Sequence, residues 1–390
     1  MAAFESESAA ASPADKPSSD QPAGVGGRIV QMTPIILTVL ATALAGMSSS
    51  EMTQSMYYRS LAGQHQSKAG DQWAFFQAKR IRGTSLEGTV TLLHSLGNVD
   101  PLDADRLKSL VAGVTGSLEA LSPDAKLAAK STQGKFDQWL ATADKNQSLK
   151  YLIGPDLPRI TDQQLPETEA YTNLRAAVKE MAHRHSDSEL ANIVKNVAPA
   201  QIEDATLLAE QNADAFDRAC EPTTAAMTQL RAIVAELNAD AKSSKPAPPK
   251  ESGDNKDATN PNVTDPNAVD PIVADSNAAA DRLPTQLHQL ATTVEAAAAD
   301  YDARRYRRES SYNRKAAELY ELRVARSGVS SDEHRERSRK FFFSMLLAQA
   351  GVTISSLALA RSNRSLFWTF AALAGLGSLV FTGMTYFSAG

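Results

Sequence analysis

Long uncharged apolar runs alternate along this chain with helix-periodic polar stretches. Two such runs close it, Phe341 to Ala360 and Leu366 to Ser388, separated only by Arg361-Ser362-Asn363-Arg364-Ser365. Each is long enough to cross a hydrocarbon core of about 30 Å at about 1.5 Å per helical residue. A bilayer offers the backbone no water, so spans of this length are helical. A third run, Ile29 to Met47, has the same character at minimal length, and Thr38, Thr42 and Gly46 recur every four residues as a small-residue face for close helix contact. The pattern predicts transmembrane helices over 29–48, within 331–360 and over 366–388. Cleavage of the first run as a signal peptide after Ala43-Leu44-Ala45 is disfavoured, because its leader is long and net acidic where such peptides carry a short basic region.

Behind the first span, Met52, Met56, Tyr57, Leu61, Trp73, Phe76, Leu86, Val90 and Leu93 share a broad face of a helical arm over 49–96. Gly63, Gly70, Gly83 and Gly88 mark kinks in it. Trp73-Ala-Phe-Phe-Gln-Ala-Lys79 puts Trp73 and Phe76 on adjacent turns as a packing anchor, with Lys79, Arg80 and Arg82 solvated beside it. Asp100 before Pro101 and Ser122 before Pro123 predict capped helix starts, the second helix anchored by Phe136, Trp139 and Leu140. Tyr151 to Ile160, with Gly154, Pro155 and Pro158, predicts a loop, and Thr161 with Gln164 a weak capping box. Helical periodicity covers Glu167 to Val197 and Ala200 to Ala241, interrupted at Glu221-Pro222. These pieces make a helical subdomain over 97–240.

Residues 1–28 and 241–280 are dominated by Ala, Ser, Pro, Asp and Asn. They lack the apolar area to offset the entropy of ordering, which predicts a disordered tail and a disordered linker. A second arm over 281–328 carries Leu287, Leu290, Val294, Ala297 and Tyr301, then Tyr312, Ala316, Leu319 and Leu322. It folds back antiparallel on the first arm in a long coiled-coil-like hairpin. Gly328 ends this arm, and Ser330-Ser331-Asp332-Glu333 reads as the cap of a new helix leading through the basic stretch His334 to Lys340 into the second span. The fold class is therefore an all-α membrane protein with three transmembrane helices, a long helical hairpin and an inserted helical subdomain.

Composition and charge narrow the chemistry. A net charge of −5 spread over 390 residues argues against a nucleic-acid partner, which needs concentrated Lys and Arg. Cys220 is the single cysteine, so no internal disulfide forms, and no base accompanies it. His183 and His185, two apart on a helix, point in different directions and make a poor metal pair. Glu203-Asp204 and Asp214 with Asp217 read as helix surface, and Gly24-Val25-Gly26-Gly27 lacks both the strand and the Lys-Ser/Thr of a phosphate loop. No catalytic, cofactor-binding or metal-ligating residue is predicted, and no cofactor.

The order of features resembles a known family. An apolar anchor, the Trp73 to Lys79 string, Tyr320-Glu321-Leu322, Phe341-Phe-Phe-Ser-Met-Leu-Leu-Ala-Gln-Ala350 and a terminal hairpin with Leu366-Phe367-Trp368 resemble the bacterial membrane-protein family catalogued as domain of unknown function 4337. The likeness covers 29–95 and 290–388. It implies the three-span topology and no activity, and it makes residues 96–289 a large insertion between the family's two halves.

The resulting expectation is a non-enzymatic membrane-anchored scaffold or partner-binding protein of the bacterial inner membrane, multi-pass. Its partners would be the lipid bilayer, a second copy through the transmembrane helices, and a protein docking on the inserted subdomain. Arg335, Arg337, Arg339 and Lys340 outweigh Arg28, Arg361 and Arg364, which favours a cytoplasmic soluble region. One alternative is a subunit of an oligomeric channel or transporter, drawing on Gln349, Thr353, Ser355 and Ser356 and on the small pairs Ala371/Gly375 and Ala374/Ser378. It lacks any ionisable residue inside the spans. The other alternative is an enzyme within the inserted subdomain.

Overall fold

The computed structural model describes residues 25–97, 100–183, 187–244, 271–360 and 364–387. Most of the predicted tail and linker, and the loop between the last two spans, lie outside the described residues. The elements are α1 (Val25–Gly97), α2 (Ala104–Glu119), α3 (Pro123–Lys145), α4 (Ser148–Ile153), a 3-10 turn (Glu169–Tyr171), α5 (Thr172–His183), α6 (Asp187–Lys195), α7 (Pro199–Ser243), α8 (Pro271–Ala360) and α9 (Arg364–Phe387). No strand occurs among the described residues. The chain divides into two compact units, Met1–Ser60 with Gly328–Gly390, and Leu61–Ser327.

In the first unit, α1, α8 and α9 are the three helices long and apolar enough to cross a membrane. Their outward faces carry Ile36, Val39, Phe342, Leu346, Leu373 and Val380, all exposed. The interior holds small and hydroxylated residues: Ala41, Ser344, Ala348, Ser355, Ala371 and Ser378 are buried. This inversion is what helices packing in lipid require, since contact rather than water exclusion holds them together. Ser378 Oγ donates to the Ser344 carbonyl at 2.8 Å. Leu37 seats between two glycines, its Cδ1 3.0 Å from where a Cβ on Gly351 would lie and its Cδ2 2.7 Å from one on Gly375. The expected Ala371/Gly375 and Ala374/Ser378 close approach is thus present. The expected Thr38/Thr42/Gly46 contact face is not: both threonines are exposed and donate to their own i−4 carbonyls, because Leu37, Ala41 and Leu44 supply the larger area to bury.

A polar seam continues this unit. Ser48 Oγ donates to the Ser338 carbonyl at 3.0 Å, and Ser338 Oγ returns a bond to the Ser48 carbonyl at 2.8 Å. One repeat further, Ser331 Oγ donates to the Ser55 carbonyl at 3.0 Å. Between the serine pairs, His334 Nδ1 lies 2.6 Å from Glu51 Oε2, and Tyr58 stacks on the imidazole at 5.3 Å. The 48, 51, 55, 58 spacing defines the packed face, so Met52, Met56 and Tyr57, expected on it, are exposed. The break at Gly328 and the new start at Ser331 are likewise absent: α8 runs through both. A serine hydroxyl caps a helix only when a free amide is available, and here the opposite backbone offers a carbonyl instead, so the helix continues across one glycine at about 1 kcal/mol.

In the second unit, partners on α8 fall in number as those on α1 rise. Lys68 lies over Tyr320, Lys79 pairs with Glu309 at 3.0 Å, and Glu87 pairs with Arg307. That is the antiparallel hairpin expected. α1 runs through all four glycines without interruption. At Gly83 a Cβ would stand 3.4 Å from the Ala303 carbonyl, which gives that glycine a packing role. Asp103, not Asp100, caps α2, accepting from the Arg106 amide at 2.7 Å, while Asp100 is drawn to the Arg106 side chain at 2.6 Å. Ser122 caps α3 with Pro123 at the first position, as expected, and Phe136 and Trp139 are buried. α4 takes residues 151–153 from the predicted loop, and no helix starts at Thr161. α7 continues through Pro222, where Met227, Leu230, Ile233 and Leu237 bury enough apolar surface to outweigh the cost of about 3 kcal/mol.

Residues 97–240 do not close a core of their own. Leu107, Val114, Phe136 and Leu237 pack against Leu290 and Tyr301 of α8. Leu174, Val194 and Ile202 pack against Leu319 and Leu322, and Phe216 and Cys220 against Tyr312. The inserted helical subdomain is packed onto α8.

The glycine seat generates a test. A methyl at Gly375 meets only the rotatable tip of Leu37, whereas one at Gly351 also lies 3.2 Å from the Ala371 backbone carbonyl. Gly351→Ala is expected to destabilise the detergent-solubilised protein by about 1–3 kcal/mol, and Gly375→Ala by less. Thermal unfolding of both variants checks the order.

Candidate functional site

The residues with the most constrained chemistry sit on the α1 and α8 faces of the second unit. Both are long helices, so their side chains are held at fixed register. Trp73 Nε1 donates to Glu321 Oε1 at 2.8 Å, while Phe76 meets the Trp73 ring edge-on at 5.4 Å. Two of the sequence strings that carry the family resemblance thus touch each other. Tyr320 donates to Glu210 of α7 at 2.7 Å, and burial together with that bond pushes its phenol up to about 12. His65 lies beside the Tyr320 ring. Burial, then Arg323 and Lys68, lowers its pKa, and its Nδ1 has no partner among the described residues.

One helical stretch on, Glu309 is 7% exposed and lies between two cations. Lys79 Nζ is 3.0 Å from Oε2; Arg305 Nε is 3.0 Å from Oε1 without meeting hydrogen-bond geometry. Burial raises the Glu309 pKa against the opposing pull of Lys79 and Arg305. Lys79, expected to be solvated, is therefore a structural partner. Sequence periodicity missed Glu309 and Arg305 because nothing in a helical repeat distinguishes a charge facing solvent from one facing a neighbouring helix.

A cleft of about 750 Å³ in this unit is lined by apolar Leu157, Ile160 and Phe216 and by Arg304 and Arg308. Arg304 donates to Asp300 at 3.0 Å and to the Asp156 carbonyl at 3.0 Å. Asp162 accepts from Arg308 at 3.3 Å and from Tyr312 at 2.7 Å. These bonds staple the Pro155–Pro158 loop to α8 and neutralise the two arginines. The cleft can hold a ligand by shape, but it presents no nucleophile with a base.

Cys220 is buried, and burial pushes its thiol up to about 11, so it is a protonated packing group rather than a nucleophile at neutral pH. Asp204 accepts from Tyr171 at 3.2 Å, Glu203 lies 3.9 Å from Arg323, and Asp214 and Asp217 are exposed. None joins another in a site. The His183 side chain and all of His185 lie outside the described residues. Among the described residues no cluster of His, Cys, Asp and Glu is arranged to hold a metal.

These features define an all-helical protein with three apolar helices in one unit and a polar helical assembly in the other. Residues 27–149 match the model of a family described as a domain of unknown function, DUF4337, and this part of the chain is similar to that family. The match agrees with the resemblance over 29–95 and continues through α2 and α3, a stretch assigned above to the insertion; 290–388 lie outside it. No curated protein and no solved structure matches the chain significantly.

The Lys79–Glu309 pair supplies a prediction. Lys79→Met leaves a buried carboxylate without one of its two cations, which is expected to cost about 3 kcal/mol at pH 7. Losing Lys79 raises the Glu309 pKa further above its unfolded value, so the penalty exists above the folded pKa and is relieved as pH falls through it. Adding Glu309→Leu should recover most of the loss. Thermal unfolding at pH 7 and pH 5, followed by far-UV circular dichroism, checks all three statements.

Proposed function

We propose that this chain is a membrane-anchored, non-enzymatic helical scaffold of a bacterial inner membrane, with residues 61–327 on the cytoplasmic side. The observation that carries the reading is the first unit, whose α1, α8 and α9 put apolar side chains outward and small hydroxylated ones inward. The basic group Arg335, Arg337, Arg339 and Lys340 next to the second apolar run supports the cytoplasmic side. Support for a non-catalytic role comes from the high thiol pKa of Cys220 and from the paired charges of the 750 Å³ cleft. The close seat of Leu37 between Gly351 and Gly375 weighs against a pore through a single copy. The scaffold works by assembly: with a second copy through the apolar helices, or with a protein docking on the second unit.

Orientation decides which partners the second unit meets. Asp105 is 97% exposed at the start of α2, so Asp105→Cys in a Cys220→Ser background offers a single accessible thiol. The protein is expected in carbonate-washed membranes, with this thiol protected from a membrane-impermeant maleimide in intact cells and labelled after lysis. Labelling before lysis reverses the orientation, and loss from the washed membrane overturns the anchor. Crosslinking in membranes should yield a stoichiometric partner or a dimer; recovery of monomer alone counts against the scaffold.

A further inference from the structure

The first unit contains a cavity of about 450 Å³ whose lining joins all three of its helices: Met47 and Glu51 from α1, Arg337 and Phe341 from α8, and Tyr386 from α9. Met47 is the last residue of the first apolar run, Phe341 is the first of the second, and Tyr386 lies two residues before the end of the third. The cavity therefore sits at one end of all three runs, where the first and second meet their polar flanks. In a protein anchored as proposed above, that is the level of the lipid headgroups.

Its two charged groups are available and of opposite sign. Glu51 Oε2 is engaged by His334 Nδ1 at 2.6 Å, which leaves Oε1 without a protein partner among the described residues. Arg337 is half-buried and makes no ion pair or hydrogen bond among the described residues, although its neighbours Glu336 and Lys340 pair with each other at 2.8 Å. Glu51 and Arg337 line one cavity without pairing. A buried or half-buried charge left unpaired is costly, so a site that holds two opposite charges apart suits a ligand carrying both.

We propose that this cavity binds the phosphoethanolamine group of a phospholipid, with the phosphate on Arg337 and the primary ammonium on Glu51 Oε1. Guanidinium and phosphate form charge-assisted hydrogen bonds, and a primary ammonium donates to a carboxylate where a quaternary one has no hydrogen to give. An anionic headgroup with no amine gains from Arg337 but meets the Glu51 carboxylate. Phe341, 3% exposed, lines the cavity, and Phe342 and Phe343 are exposed on the same helix, where acyl chains would lie.

The test uses the full chain in nanodiscs of mixed phosphatidylethanolamine, phosphatidylcholine and phosphatidylglycerol with identical acyl chains, followed by native mass spectrometry of retained lipid. Wild type is expected to retain phosphatidylethanolamine about tenfold over the other two. Glu51→Gln should reduce this to the phosphatidylcholine level. Arg337→Gln, which removes no protein contact, should lower retention of both lipids. Lys340→Gln, away from the cavity, should change nothing. Equal retention of the three lipids, or a wild-type pattern in Arg337→Gln, means annular lipid only and overturns the site; preference for phosphatidylglycerol overturns its ligand class. In a second arm, soluble phosphoethanolamine at millimolar concentration is expected not to displace the lipid, and displacement would reassign the site to the free compound. Failure of the anchor itself appears separately, as loss of the protein from carbonate-washed membranes.

Discussion

Small side chains at matched positions of α1 and α8 govern how closely the two backbones approach, and most of what each unit does depends on that approach. In the first unit Ser48 and Ser338 exchange hydroxyl-to-carbonyl bonds, which only short side chains between close helices can make. In the second, Gly83 faces the Ala303 carbonyl. Hydroxyls that would compete with a helix's own backbone satisfy the neighbouring backbone instead, so the Ser48, Ser331 and Ser338 hydroxyls of the seam are all bonded across it.

α8 organises the second unit through the same economy of contact. Its apolar positions serve three clusters in turn: Leu290 and Tyr301 with α2, α3 and α7, Tyr312 with Phe216, and Leu319 and Leu322 with α5 and α6. Its charged positions answer α1 and the loop after α4, through Glu309 with Lys79 and Arg304 with the Asp156 carbonyl. A single helix carrying so many separate contacts couples the packing of α2–α7 to the α1–α8 hairpin. The Trp73–Glu321 bond lies in that hairpin, which gives the resemblance strings a structural meaning: they are two sides of one contact.

The charge distribution separates the two units in kind. In the second, the arginines of the cleft, Glu309 and the phenols of Tyr312 and Tyr320 are all engaged by protein groups; burial and hydrogen bonds to carboxylates raise those phenols, and burial raises the carboxyl of Glu309 against its two cations. Such networks specify a packing arrangement. In the first unit Arg337 and one oxygen of Glu51 are left open to a cavity, an arrangement suited to a ligand from outside the chain.

Local pattern determined the helical class, the three apolar helices and the Ser122 cap, because each depends on residues close in sequence, and the antiparallel return of the second arm was legible from the apolar runs that bound both arms. Tertiary structure alone decided the rest. Which face of α1 is packed depended on the α8 serines, not on the larger side chains of Met52, Met56 and Tyr57. Whether Gly328 ends a helix depended on what Ser331 could reach across the seam, and whether residues 97–240 form their own core depended on apolar positions of α8 more than forty residues further on. The Glu51–His334 pair and the cavity beside it join residues nearly three hundred positions apart. A local pattern records propensity, whereas the partner that satisfies a hydroxyl, a carboxylate or an apolar face is supplied by another helix.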